Sequence, residues 1–153
     1  MSSVKRAWTY GLLGVVFLVI DRIAKYEVLC LCAQGCKINN YLSFEVVFNR
    51  GSSWGLFHSQ SSIMFGLVTL GVALITSGVL AYAVLRFRSG HMILGEVMVI
   101  AGSLSNIIDR FLYKGVIDFI ELSYGGWHWP TFNGADMLIV FGVLIMMLEQ
   151  YRK

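Results

Sequence analysis

From Ile63 to Leu85 the chain runs without a single charged residue. A helix needs about 20 mostly apolar residues to cross the hydrocarbon core of a bilayer, and only a helix or a closed barrel satisfies its own backbone there. This run points to a helical membrane protein, and the composition agrees. Hydrophobic residues fill 57% of the 153 positions and charged residues only 14%, with one proline. A soluble domain carries charge on about a quarter of its positions, so the solvent facing much of this chain is lipid. The net charge of +3 is small and dispersed, which argues against a nucleic-acid partner.

Three further spans are expected at about 7–28, 92–111 and 134–150. All three are impure. Charges occupy the last third of the first, Glu96 and the Asp109-Arg110 pair bracket the third, and Asp136 and Glu149 bracket the fourth. Ionisable groups are costly in lipid, so such residues face the protein interior or mark function. The first run has the look of a secretory signal, with Lys5 and Arg6 before apolar residues and Gly35 before Cys36. However, Asp21, Arg22, Lys25 and Glu27 interrupt the path to the cysteine, so a retained helix is expected. The expected fold is therefore a mostly α, four-span membrane protein forming one integral-membrane domain over 1–153.

Basic residues set the orientation. One side holds Lys5, Arg6, Arg86, Arg88, Arg152 and Lys153, and the other holds Arg22, Lys25, Lys37, Arg50, Arg110 and Lys114. The first set lies in short termini and a tight loop, which the positive-inside rule weights most, so both termini are expected in the cytoplasm. With four crossings, Asp21, Glu27, Glu45, Asp109, Asp118, Glu121 and Asp136 then share the outer face. Residues far apart in sequence are thus gathered at one surface.

The two outer connections carry structure of their own. Leu42, Phe44, Val46 and Phe48 follow a period of two within Tyr41–Asn49, which predicts a strand. Asn49-Arg-Gly-Ser-Ser supplies turn chemistry, and Trp54-Gly-Leu-Phe57 turns apolar again. A strand at the membrane surface can roof a site or grip an extended peptide by its backbone, giving a small β-containing cradle. The second connection, a short amphipathic and aromatic segment, holds Val116–Ile120 and then Trp127, Trp129 and Phe132, rings suited to the headgroup level.

Each candidate residue has a plain alternative role. Asn133 and Asp136 have the spacing of a helix cap. Asp118 lies in the apolar VIDFI stretch, where an unpaired carboxylate is costly. Asp109 ends the third span against the helix dipole, where Arg110 can compensate it, with Asn106 on the same face one turn earlier. Asp21 and Lys25 suit an ion pair at the membrane edge. Two aspartates held close in a low-dielectric site share one proton, so one serves as base for water and the other as acid toward a carbonyl. That chemistry requires neither metal nor cofactor. Ser52, Ser53 and Ser105 have no histidine in local context, and His58, His91 and His128 are scattered. Cys30, Cys32 and Cys36 lack the paired spacing of a zinc site, while a disulfide between two of them suits an oxidising compartment.

In order along the chain, five blocks resemble those of a known family, the lipoprotein signal peptidases (signal peptidase II). Asp21-Arg-Ile-Ala-Lys25 resembles D-x-x-x-K. Asn49-Arg-Gly51 followed by Trp54-Gly55 resembles N-x-G-x-A-F-G/S, and Asn106-Ile-Ile-Asp109-Arg110 resembles N-x-x-D-R. Val116-Ile-Asp118-Phe119 resembles V-x-D-F, and Phe132-Asn133-Gly-Ala-Asp136 resembles F-N-x-A-D. The resemblance implies an aspartyl endopeptidase of the bacterial cytoplasmic (inner) membrane. It would cut prolipoproteins on the amino side of a diacylglyceryl-modified cysteine, near the extracytoplasmic face. It implies Asp118 and Asp136 as the catalytic dyad, with Asn49, Gly51, Asn106, Asp109, Arg110 and Asn133, together with Asp21 and Lys25, supporting it or binding substrate. It implies membrane lipids, lipidated signal peptides and globomycin-type inhibitors as partners. The chain departs from the pattern at Ser53-Trp54, at Ser105 where glycine is common, at Met137 where serine is frequent, and in its cysteine cluster.

Two other classes compete. A small proton-coupled transporter would need a carboxylate deep in a span, for which Glu96 is the candidate, although its place near His91 suits an interfacial role. A non-catalytic assembly subunit would tolerate changes at the aspartates.

Overall fold

The computed structural model describes residues 2–51 and 62–151. Ser52, Ser53, Trp54, Gly55, Phe57, His58, Arg152 and Lys153, all used in the sequence argument, lie outside the described residues. The described chain is mostly helical. Helix α1 spans Ser3–Leu31, α2 Ser62–Arg88, α3 Leu94–Tyr113 and α4 Gly134–Tyr151. The expected segments are all present as helices, each longer at one or both ends, except that α3 begins two residues later than the predicted 92. Helices α2 and α4 are by themselves long and apolar enough to cross a bilayer.

The distribution of burial is inverted relative to a water-soluble domain. Leu67, Leu70, Leu74 and Ile75 on α2 are exposed, whereas Lys25, Glu96, Asp109 and Asn133 are wholly buried. Apolar surface outside and ion pairs inside is the arrangement that a lipid solvent favours. Helix α3 is central and packs on α1, α2 and α4. Its approach to α4 is close because both helices are small there. A Cβ placed on Gly102 would sit 2.5 Å from the Ala135 carbonyl oxygen, and one on Gly95 would sit 2.6 Å from that of Gly142.

At one end of the bundle, Arg86 pairs with Glu96 and with Glu149, each at 2.6 Å, tying α2 to α3 and α4. Glu96, for which an interfacial role near His91 is expected, is fully buried inside the protein at this end of the bundle. A buried carboxylate needs an ion partner, and Arg86 is the one it has. Arg6 of α1 closes the same end by donating to the carbonyls of Gly90 and His91.

At the other end lies an antiparallel four-stranded sheet, ordered β1 (Cys36–Lys37), β2 (Leu42–Asn49), β3 (Val116–Tyr124) and β4 (Trp127–His128). The expected strand over Tyr41–Asn49 is β2. The second connection, expected as an amphipathic and aromatic segment, is mainly strand, because pairing with β2 over Val116–Leu122 and with β4 at Ser123 and Tyr124 satisfies its backbone. Ile117 and Phe119 form the buried core of the sheet with Val28 of α1, and Phe44 and Val46 pack on it.

Strict alternation along β2 does not survive. A bulge between Phe44 and Val47 shifts the register against β3, and one extra residue reverses the faces that follow. Phe48, grouped with Leu42, Phe44 and Val46 by the period of two, is 46% exposed. Asn49 gains the inner position. A disulfide joins Cys32, just past the end of α1, to Cys36 of β1, and Cys30 is free and exposed.

Candidate active site

The first turn of α4 builds half of the site. Asn133 Oδ1 accepts the Asp136 N–H at 2.9 Å, and Asp136 Oδ2 accepts the Asn133 N–H at 3.3 Å. This reciprocal capping box satisfies backbone donors that the helix itself cannot. The cap and the site are one structure, because capping leaves the Asn133 Nδ2 free to donate to Asp118 Oδ1 at 2.6 Å. Strand β3 delivers Asp118 to that point. The N–H groups of Phe119 and Ile120 both donate to the Phe132 carbonyl, and Phe132 donates back to Ile120, so the strand is stitched to the residues leading into α4.

Asp118 is only 2% exposed. Its second oxygen accepts from Asn49 Nδ2 at 2.9 Å, the contact that the β2 bulge makes possible. The Asn49 amide is oriented by the Gly51 N–H, which donates to its oxygen at 2.9 Å. Burial pushes the Asp118 carboxyl up to about 7, and the neighbouring Asp136 adds to the rise, while the two asparagine donors and Lys25 oppose it. Asp136 is half-buried and opens onto a cleft of about 330 Å³, walled by Trp129, Pro130, Phe132, Met137, Val140 and Phe141.

A buried polar network backs the pair. Asn106 donates to Asp136 Oδ1 at 2.9 Å, and its own oxygen accepts from Lys25 Nζ at 2.9 Å and from Asn133 at 3.3 Å. Lys25 also bridges Asp21 at 2.9 Å and Asp109 at 2.7 Å. The Asp21–Lys25 pair, expected at the membrane edge, is thus wholly internal, since α3 closes over it. Asp109 takes a second cation, Arg22, and accepts the Ile117 N–H at 3.2 Å, which anchors the start of β3. Arg110 was expected to compensate Asp109. Adjacent residues on a helix do not face each other, and Arg110 instead donates to the carbonyls of Asn106 and Gly51.

All the residues singled out from the sequence as dyad or support meet here. Arg22 and Ser105 join them, although nothing in the sequence marks either for the site beyond Arg22's place in the first motif. Ser105 Oγ donates to Asp21 Oδ2 at 2.6 Å, so the departure from glycine adds a hydrogen bond between α3 and α1. Glu27 and Glu45 are exposed and do not enter the site. Glu121 stays on the sheet, where Ser43 at 2.7 Å and His128 at 2.9 Å hold its carboxyl below the usual range. Ser43 and His128 thus both lean on Glu121, and neither resembles a nucleophile with its base.

Two neighbouring carboxyls, one buried and pushed up to about 7, both tied to one asparagine beside an apolar cleft, form an arrangement able to carry acid–base hydrolysis. The fold and this centre define the class as an aspartic peptidase set in a helical membrane protein. Over residues 13–152 the chain matches the family model described as signal peptidase (SPase) II. It is 32% identical over 149 residues to a lipoprotein signal peptidase of Burkholderia multivorans, covering 92% of this chain and 87% of that one. It is 36% identical over 141 residues to a lipoprotein signal peptidase of Clostridium novyi, covering 89% and 93% respectively. The fold matches two structures of bacterial membrane enzymes determined by the in meso method. For the one at 2.3 Å resolution the TM-score is 0.74 at 24% identity, over 94% of this chain and 88% of that one. For the one at 1.9 Å the TM-score is 0.72 at 23% identity, over 93% and 92%. The chain belongs to the signal peptidase II family.

Proposed function

We propose that this protein removes signal peptides from diacylglyceryl-modified prolipoproteins, cutting before the lipidated cysteine, with Asp118 and Asp136 as its catalytic pair. The observation that carries the assignment of the pair is the double role of Asn133, which binds one carboxyl through its side chain and the other through its backbone N–H. The coupled pair shares one proton, and Asp118, whose carboxyl burial raises to about 7, is the member proposed to act as the acid. Asp136, which among the described residues accepts only from amide donors, takes a proton from the attacking water. Asp118 donates to the scissile carbonyl oxygen as the tetrahedral intermediate forms, and the proton taken from water then passes to the leaving amine. Asn49, Gly51 and Arg110 support the carboxyls and the strand end beside them.

The four helices each cross the bilayer, with both termini in the cytoplasm and the sheet on the outer face of the bacterial inner membrane. Residues 1–153 form a single peptidase domain. Of the charges that break the apolar runs of α1 and α3, Asp21, Arg22, Lys25 and Asp109 turn into the network, which supports counting both as spans. Membrane lipids surround the exposed face of α2, and globomycin-type inhibitors compete for the cleft. The transporter reading has no support, because Glu96 is committed to Arg86.

The decisive experiment incubates purified protein with a diacylglyceryl-modified proprotein and with an unlipidated control. Cleavage of the lipidated form alone is expected, and Asp136→Asn should abolish it while substrate still binds. Near wild-type release by that variant refutes the pair.

A further inference from the structure

The network behind the pair holds one group whose role charge balance does not explain. Lys25 is fully buried, and its ammonium has three donors. Two of them reach Asp21 and Asp109, and with Arg22 also on Asp109 the buried charges cancel. The third reaches the Asn106 oxygen at 2.9 Å. A primary amide fits the same space with either end forward, and only its partners decide which end faces where.

We propose that Lys25 is a positioning residue that fixes the amide of Asn106 and, through it, keeps Asp136 free to accept a proton from water. This rests on the catalytic role of Asp136 proposed above. With its oxygen held by Lys25, Asn106 must present its NH2 to Asp136 Oδ1, as it does at 2.9 Å. Turned over, the amide would set its oxygen against a carboxylate oxygen. Two acceptors can meet there only if Asp136 carries a proton, and the base for water is then lost. The other donor to the Asn106 oxygen, Asn133 Nδ2, is longer at 3.3 Å and is already engaged with Asp118 at 2.6 Å. Lys25 is therefore the stronger of the two restraints. It hydrogen-bonds to neither carboxyl of the pair; beyond the charge it sets near them, its hold on the geometry at Asp136 passes through one amide.

A double-mutant cycle tests this, because a residue acting only through Asn106 loses its effect once Asn106 cannot respond. The variants are Lys25→Met, Asn106→Leu and the double, with kcat and KM measured on a diacylglyceryl-modified peptide. Lys25→Met leaves the buried Asp21 carboxylate without an ion partner, so the cycle is repeated with Asp21→Asn present; the two changes together remove one charge of each sign and leave Asp109 with Arg22. Losing one oriented donor at a reacting carboxyl lowers kcat by roughly 10²-fold. The expected result is that fall for Lys25→Met with KM changed by less than about threefold, a fall at least as large for Asn106→Leu, and less than about threefold further loss in the double. Multiplying losses in the double would overturn the proposal, as would a folded Lys25→Met protein with near wild-type kcat. An active Asp136→Asn protein would instead defeat the assignment of the pair, independently of Lys25.

Discussion

Asp118→Asn should inactivate the protein and yet make it less sensitive to pH. In the folded chain the Asp118 carboxyl titrates near 7 against an ordinary value of 3.8. Across about three pH units the fold therefore keeps a proton that the unfolded chain has released. A raised carboxylate pKa contributes stability that is fully present below the unfolded value and is lost as pH climbs through the folded one. At about 1.36 kcal/mol per unit, the loss between pH 4 and pH 8 is on the order of 4 kcal/mol.

Asparagine has no such proton to lose. It also has only one acceptor, so the Asn133 donor keeps its partner while the Asn49 donor meets another NH2, at a pH-independent cost of about 1 kcal/mol. The measurement is thermal unfolding in detergent at half-unit steps from pH 4.5 to 8 for both proteins. Wild-type Tm should fall relative to the variant as pH rises, with the variant the more stable above pH 7. Parallel curves, or a wild-type Tm that rises relative to the variant with pH, would show that Asp118 is not held protonated by burial, and the proposed proton assignment would fall with it.

Gly102→Ala places a methyl group 2.5 Å from the Ala135 carbonyl, against backbone that cannot swing aside. Overpacking of this kind costs about 1–3 kcal/mol. Both Tm and kcat should drop, since Asp136 rides on the displaced turn, and a variant with unchanged kcat would show that the α3–α4 spacing does not set the site. Orientation has its own probe in Cys30, the free and exposed thiol near the end of α1. A membrane-impermeant maleimide added to intact spheroplasts should label it, and labelling only after lysis would reverse the topology.

Much was legible from residues alone because it depends on near neighbours. Apolar runs of bilayer length, the three-residue spacing of Asn133 and Asp136, and the alternation that begins β2 are local properties. Five ordered motifs pointed to the family, and every dyad and support residue they named lies in the site. The structure alone decided the β2 bulge, which exposes Phe48 and turns Asn49 toward Asp118. It also decided the pairing of Asp109 with Arg22 and Lys25 rather than Arg110, the seating of Glu96 on Arg86, and the choice of Cys32 and Cys36 for the disulfide. Each of these depends on which groups approach within about 3 Å after elements distant in sequence have packed. A carboxylate, an ammonium or an amide carries no label for its partner along the chain. In a site this dry, where each buried donor and acceptor is costly to leave alone, the packing makes that choice.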